Sequence, residues 1–401
     1  MSALRDFVAD VLVLEGAAVE PVEPDGLDVL APAALAERMG WPELARLGFG
    51  AALPSDSIPI GLEGDFLDRF GTLLGERGRW VERQLMLPTS MAPLADPARV
   101  LERALDLPNA VWRFHAVTAT WTRCLLLTFR YTAMSDEKRD GLVRVGFNLG
   151  TGAVLDEVLA RLRLYIAAES DWQAPEPEVR LAAGPGWDAA TLERRVRPLL
   201  DVRVREALEP FLRAMRSRLE RDRNRVHRYH DDLRGAALKR LAALGGAEGE
   251  KAEAQRRRET SRVAAIEREY RAKLDDLRHN YALRLKVDWV QALELYLPVQ
   301  RIDVQVRRRK GERLIRLDWH RMARLAEPPP CDWGLGLDRV RLVCDDQLHL
   351  TEAAGQAPCA SCGKAFCRAC HPVSCPRCGT PVHQMARPRA GLDPATSPLR
   401  P

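Results

Sequence analysis

Eight of the nine cysteines lie after residue 330, where their spacing could hold a metal ion. The densest run contains three pairs whose members are separated by two residues: Cys359 and Cys362, Cys367 and Cys370, Cys375 and Cys378. Two-residue spacing lets both thiolates of a pair reach one tetrahedral zinc ion at about 2.3 Å. We predict zinc with a structural role, because a site of four thiolates is closed and offers no open position for catalysis.

The order of these pairs indicates which cysteines share an ion. Only four residues separate the first pair from the second, so a cross-brace is predicted, in which Cys359, Cys362, Cys375 and Cys378 form one site. The middle pair then needs two further ligands, for which the candidates are Cys331, Cys344, His349, His371 and His383. Two four-cysteine sites would use Cys331 and Cys344, so we expect one or two zinc ions. A second site that has been lost remains an alternative, because the segment Cys331 to Gly334 looks like an incomplete knuckle.

This tail resembles the cross-brace modules of the RING and B-box type, and the resemblance implies an interaction or scaffold role. Cysteine pairs concentrated in one short segment are typical of metal ligands in a reducing compartment, so we expect a cytoplasmic location. The chain contains 54 Arg and 7 Lys, which is typical of a GC-rich bacterial genome. Its apolar runs fall short of the roughly 18 residues that a membrane helix needs.

The segments that precede the tail predict an α+β multidomain protein. Residues 1–167 read as an N-terminal α/β unit with an antiparallel meander of three strands, 111–120, 122–133 and 142–149. The remaining segments are a linker at 168–190, a basic helical hairpin at 191–285, a small β unit at 286–328, a zinc module at 329–384 and a disordered tail at 385–401.

Apolar residues step by three and four along two long helical segments, 192–244 and 250–283. Gly245 and Gly246 separate them, so the pattern predicts an antiparallel hairpin, read as a coiled coil. Each arm of about 35 residues would be about 50 Å long at 1.5 Å per residue. The predicted seam runs through Leu208, Leu212, Met215, Leu219, Val226, Tyr229 and Leu233 on the first arm.

The hairpin is also the most basic segment. Residues 205–286 hold 22 Lys/Arg and 14 Asp/Glu, a net charge of +8, whereas the whole chain carries +5. Candidate contacts to a nucleic-acid backbone are Arg256, Arg257, Arg258, Arg262, Arg307, Arg308 and Arg309. The alternative is a solvated surface whose charges pair within each helix.

No sequence pattern supports catalysis. The chain lacks a phosphate-binding glycine loop and a locally supported Ser-His-Asp or Cys-His set. We therefore expect no enzymatic activity, although an enzyme with an unrecognised site in the N-terminal domain remains the third hypothesis.

The order of parts resembles the accessory region C-terminal to the motor of RapA-type (Swi/Snf-class) DNA translocases. The resemblance rests on the meander 112–149 with its turn 135–138, and on the Arg/Glu-rich hairpin followed by strands and the sequence Leu317-Asp318-Trp319-His320. Because the chain lacks every ATPase motif, the resemblance implies an accessory part. The first hypothesis is thus a non-enzymatic adaptor that works with a motor ATPase and contacts DNA or RNA. The second is a protein scaffold without nucleic-acid contact.

Overall fold

The computed structural model describes residues 3–50, 53–61, 65–75, 78–86, 93–168, 173–246, 248–309 and 311–382. The chain divides into two compact units, residues 1–80 and 81–401. The predicted disordered tail, 385–401, and the candidate ligand His383 lie outside the described residues.

The first unit is a small α/β fold. Its helices are α1 Ala3–Leu14, α2 Ala33–Met39 and α3 Phe66–Leu74, and its strands are β1 Ala18–Val22, β2 Gly26–Leu30, β3 Leu44–Phe49 and β4 Ile58–Ile60. The sheet order is β1-β2-β3-β4, with only the last pair parallel. Val8, Val11 and Leu12 lie at helical spacing on α1 and are buried against Leu27 and Phe49 of the sheet. Helices and strands are thus both present in this segment, whereas the strands predicted as a meander at 111–149 lie in the second unit.

The second unit is built on one large sheet. Its first elements are β5 Trp80–Gln84, α4 Pro97–Ala104, β6 Val111–Met134, β7 Lys138–Asn148, α5 Asp156–Ala168 and α6 Pro177–Ala183. Its later elements are α7 Ala189–Ala243, α8 Glu250–Asn280, β8 Arg284–Arg308, β9 Gly311–His320, β10 Leu325–Ala326, β11 Leu342–Val343 and β12 Leu350–Thr351. The sheet order is β10-β9-β8-β6-β7, and β5 also pairs with β8.

Two long strands form the centre of this sheet. Strand β6 has 24 residues and pairs antiparallel along its whole length with the 25-residue β8. The predicted strands 111–120 and 122–133 leave Trp121 as a turn, but Trp121 lies within β6 opposite Pro298. The segment around Trp121 contains no Gly, Pro, Asn or Asp to favour a turn, whereas Thr, Val and aromatic residues favour a strand. Because β8 pairs with β6, the segment expected as a small β unit belongs to the same sheet as the meander.

The segment expected as a linker contains a helix. Helix α6 begins with Pro177, a residue suited to the first helical turn. Its buried residues Val179 and Ala183 pack on Tyr296 of β8 and on Trp121. This contact orders part of the Pro-rich segment against the sheet.

The two long helices lie antiparallel, since pairs of contacting residues run in opposite order along them. The phenol of Tyr270 lies 2.6 Å from Nδ1 of His227, and the phenol of Tyr281 donates to Asp222 over 2.8 Å. The predicted bounds, 192–244 and 250–283, agree closely with α7 and α8. The helices have 55 and 31 residues, or about 80 Å and about 45 Å at 1.5 Å per residue. Among the helices of the described ranges, none has an apolar stretch long enough to cross a membrane.

The first half of α7 packs on the sheet, not only on α8. Leu208, Leu212 and Met215, predicted as hairpin seam, are buried against Tyr131 and Val143 of the sheet. Further along α7, His230 is buried, whereas Tyr229, assigned to the seam, is 58% exposed. His230 therefore takes the place of Tyr229 in the seam, while Val226 and Leu233 on either side stay half-buried as predicted. A coiled-coil geometry stays a prediction.

A buried polar network crosses the large sheet from β7 through β6 and β8 to β9. Its members are Thr122, Asn148, Arg301, Asp318, His320 and Glu327. The amide of Asn148 donates to Asp318 and to Glu327, over 2.8 Å in each case. Arg301 donates two hydrogen bonds to Asp318, of 2.8 and 3.0 Å. Both carboxylates are fully buried, so these bonds replace the water that each has lost.

The two carboxylates of this network differ in ionisation. Burial alone would raise the pKa of Asp318, but the Arg301 guanidinium outweighs it and lowers that pKa. Burial, followed by the charge of Asp318, raises the pKa of Glu327. The network fixes the chain on both sides of the turn 321–324, because Glu327 also accepts a 3.0 Å hydrogen bond from the backbone N–H of Asp318.

Candidate metal centres

A short hairpin, β11–β12, joins the cysteine-rich tail to the large sheet. Val343, Leu348 and Leu350 of this hairpin are buried among Ile302 and Val304 of β8 and their neighbours. The hairpin therefore shares the core of the sheet. Its ends carry Cys344 and His349, which face each other across the turn.

Polar contacts reinforce this junction. The side chain of Asn109 accepts from the backbone N–H of Val343 over 2.9 Å and donates to the Val343 carbonyl over 3.2 Å. Arg308 binds Asp345 at 2.5 Å and donates to the Asn109 carbonyl over 2.8 Å. Because Asp345 directly follows Cys344, these bonds set the position of the first candidate ligand.

Two knuckle turns position the first and third cysteine pairs, Cys359 with Cys362 and Cys375 with Cys378. Gly363 follows Cys362 with φ +70°, and Gly379 follows Cys378 with φ +72°, both in the left-handed region that glycine adopts without strain. Their N–H groups donate to the carbonyls of Cys359 and Cys375, over 2.8 and 2.9 Å. These turns bring both sulfurs of each pair to one side of the chain.

The described residues bring eight candidate ligands into two clusters. The first is Cys344, His349, Cys367 and Cys370, and the second is Cys359, Cys362, Cys375 and Cys378. Within each cluster the ligand atoms lie within 4.8 Å of one another. Along the chain the ligand pairs alternate between the clusters, which is a cross-brace topology.

The distances within the clusters fit a tetrahedral ion. Four sulfurs at about 2.3 Å from zinc would lie about 3.8 Å apart. The Sγ–Sγ distances are 3.6 Å for Cys359–Cys378, 3.8 Å for Cys362–Cys375 and 3.7 Å for Cys344–Cys370. They far exceed the roughly 2.05 Å of a disulfide. Nδ1 of His349 lies 3.2 to 3.9 Å from the sulfurs of its cluster, so the donor sets, three Cys with one His and four Cys, both suit zinc.

Crowding of thiols makes each cluster a site for a cation. Burial and the thiols of Cys367 and Cys344 raise the pKa of Cys370 to about 12. In the second cluster the Lys364 backbone favours the Cys362 thiolate, but burial and the neighbouring thiols outweigh it and raise that pKa to about 11. The Thr380 hydroxyl lowers the pKa of Cys378 to about 6. The thiols of a cluster thus cannot all ionise together without a positive ion, which a bound zinc would supply.

The structure distinguishes between the candidates for the two ligands that complete the site of Cys367 and Cys370. Cys344 and His349, two of the five candidates, both lie in the first cluster. Cys331 lies outside both clusters, where its thiol donates to the Trp333 carbonyl over 3.1 Å. His371 also lies outside them, near the ring of Phe366. Residue type alone could not favour His349 over Cys331, because the choice depends on the β11–β12 turn.

The candidate nucleic-acid residues occupy different environments. Arg258, Arg262 and Arg309 are exposed. Arg257 is exposed but paired with Glu253 over 3.2 Å, and Arg307 lies 3.7 Å from Glu312.

Two of these arginines are less accessible. Arg256 is half-buried and lies two helical turns before Val263, which is half-buried on the same face of α8. Arg308 is 16% exposed and binds Asp345 beside the β11–β12 hairpin, so it has a structural role.

Comparison with protein-family models finds no match to this chain, and comparison with curated proteins finds no relative.

Proposed function

We propose that the protein is a non-enzymatic adaptor in which the sheet and a zinc-stabilised module support a basic helical hairpin that contacts the phosphate backbone of nucleic acid. The observation that carries this proposal is the uncompensated charge of the hairpin. Among the described residues, these basic side chains have no acidic partner: Arg216, Arg221, Arg228, Arg234, Lys239, Arg240, Lys251, Arg258, Arg262 and Arg268.

This charge distribution favours contact with phosphates over recognition of bases. The unpaired cations are spread along both helices. They do not form a set of side chains at one helix end that could read bases in a groove. Cations that neutralise phosphates release counterions, and affinity then falls steeply with salt. Binding should therefore depend little on sequence.

The metal clusters support a scaffold role for the tail. Four-ligand sites of this kind hold a fold together and leave no position for substrate. The partner that we propose is a motor ATPase, which rests on the resemblance to the accessory region of Swi/Snf-class translocases.

The experiment is a salt titration of binding to duplex and single-stranded DNA. The test variant replaces Arg228, Arg258 and Arg262 by Gln. The control replaces Arg99, Arg144 and Arg163, three exposed arginines outside the hairpin, and so changes net charge equally. If all three tested arginines bind phosphates, the slope of log affinity against log salt should flatten by about 2.7, at about 0.9 per phosphate, and the control should keep the wild-type slope.

Absence of binding by the wild type at about 50 mM salt, where the electrostatic contribution is strong, would overturn nucleic-acid contact. An equal change in the two variants would remove the hairpin from the interface. In either case the protein scaffold becomes the better account, for which the ion pairs within each helix, such as Arg223 with Glu220, are the supporting observation.

A further inference from the structure

A small pocket in the second unit is lined by four arginines that the proposed function does not use. They are Arg103 at the end of α4, Arg161 on α5, Arg324 in the β9–β10 turn, and Arg339 before β11. The pocket has a volume of about 300 Å³, which is the lower limit of typical small-molecule sites. Trp319 and Leu325 form part of its wall.

The positive charge of this pocket is only partly balanced. Arg339 pairs with Glu157 over 2.8 Å. Arg161 donates to the Ala323 carbonyl over 3.1 Å, which positions its guanidinium without neutralising it. Among the described residues, Arg103, Arg161 and Arg324 have no ion pair. Three cations around one concave surface repel each other and attract an anion.

One carboxylate also lines the pocket, but it is engaged elsewhere. Glu327 is fully buried, and its oxygens accept hydrogen bonds from Asn148 and from the backbone N–H of Asp318. Its charge is thus shared with the polar network behind the pocket wall. The four arginines of the pocket are exposed, whereas Glu327 is not.

The backbone of Arg324 is a second, independent observation. Its φ is +50°, a left-handed conformation in which glycine or asparagine would be less strained. A strained residue that contributes a cation to a pocket is typical of a functional position. The turn could have been made more favourably by a neutral residue, but the pocket would then lose a guanidinium.

We propose that this pocket binds a phosphate monoester, with the guanidinium groups around the phosphate and the indole of Trp319 beside the organic part of the ligand. Guanidinium matches phosphate in geometry, since its forked N–H groups can bind two oxygens at once. Aromatic rings stack on the bases of nucleotides, so a nucleoside monophosphate or a phosphorylated nucleic-acid end fits the lining. This site does not depend on the hairpin.

The test is calorimetric titration of the full chain with inorganic phosphate, adenosine monophosphate and adenosine. We expect saturable binding of the first two and none of adenosine. Arg324→Asn should weaken binding about tenfold or more, because a charged hydrogen bond is lost. The melting temperature of the unliganded variant should stay equal or rise, because asparagine tolerates a positive φ. Arg144→Asn, which replaces an exposed arginine outside the pocket, is the matched control and should bind like the wild type.

The source of the phosphate is distinguished by two otherwise identical hexanucleotides with a 5′-phosphate or a 5′-hydroxyl. A preference for the phosphorylated one indicates a nucleic-acid end, whereas equal binding of both, with binding of adenosine monophosphate, indicates a free nucleotide. Failure of phosphate and adenosine monophosphate to bind at millimolar concentration would overturn the proposal. Equal affinity of wild type and Arg324→Asn would do so as well.

Discussion

Replacing Arg301 by Met tests the buried network that positions the turn 321–324. The change leaves the fully buried Asp318 without its cation, next to the second buried carboxylate of Glu327. Removing one partner of a buried ion pair costs about 3–5 kcal/mol, because the remaining charge stays desolvated. We expect a loss of this size in the free energy of unfolding at pH 8, measured by urea unfolding followed by circular dichroism.

The loss should depend on pH in a defined direction. In the wild type Arg301 lowers the pKa of Asp318, so this group stabilises the fold above its unfolded pKa, and that contribution is lost as pH falls through the folded value. In the variant, burial without the cation should raise that pKa above its unfolded value. Protonation then relieves the cost, so the difference between wild type and variant should shrink as pH falls from 8 to 5.

The control is a pair of the same geometry at the surface. Asp303 and Arg316 face each other on the same two strands, 3.5 Å apart, but the Arg316 side chain is 63% exposed. Arg316→Met should cost under about 1 kcal/mol. A similarly small cost for Arg301→Met, or equal costs for the two variants, would refute the reasoning.

Two further predictions concern Tyr281, at the base of the helical hairpin, and Arg308, which contacts the β11–β12 hairpin beside the first cysteine cluster. The pKa of Tyr281 is raised to about 12 by burial and then by its hydrogen bond to Asp222, so its stabilisation is full below the ordinary value of about 10 and is lost as pH rises towards 12. Tyrosinate absorbance should lose one late-titrating contribution in Tyr281→Phe, although burial also raises the pKa of Tyr296; an unchanged titration curve would contradict this. Arg308→Met should speed zinc loss to a chelator and cost about 1–3 kcal/mol, because it breaks the bonds to Asp345 and Asn109. Arg307, whose side chain is 64% exposed, is the control, and Arg307→Met should leave the rate of zinc loss unchanged. If both variants lose zinc at the same rate, Arg308 does not stabilise the cluster.

Local sequence signals predicted much of the helical structure. Gly245 and Gly246 break an otherwise continuous apolar pattern, so the ends of α7 and α8 could be placed within about three residues. The second cysteine cluster could be predicted equally well, because two-residue spacing and the glycines that follow the pairs are local features. These signals work because the interacting groups lie close together along the chain.

Long-range pairings carried no such signal. Strand β8 returns to β6 only after the whole hairpin, and no short motif specifies that register. The network residues Asn148 and Asp318 are 170 positions apart. His349 was one of several candidates because its selection depends on the β11–β12 turn and on the core that this turn shares with β8. In each case the contact depends on tertiary packing, which the residue types alone do not specify.

Zinc stoichiometry of the full chain tests the central claim most directly. Native mass spectrometry should find two zinc ions in the wild type, and one in His349→Ala, which removes a ligand of the first cluster only. The control His371→Ala should keep both ions, because His371 lies outside the clusters. Fewer than one zinc ion per folded wild-type chain would contradict the account, as would retention of two ions by His349→Ala with unchanged resistance to chelation.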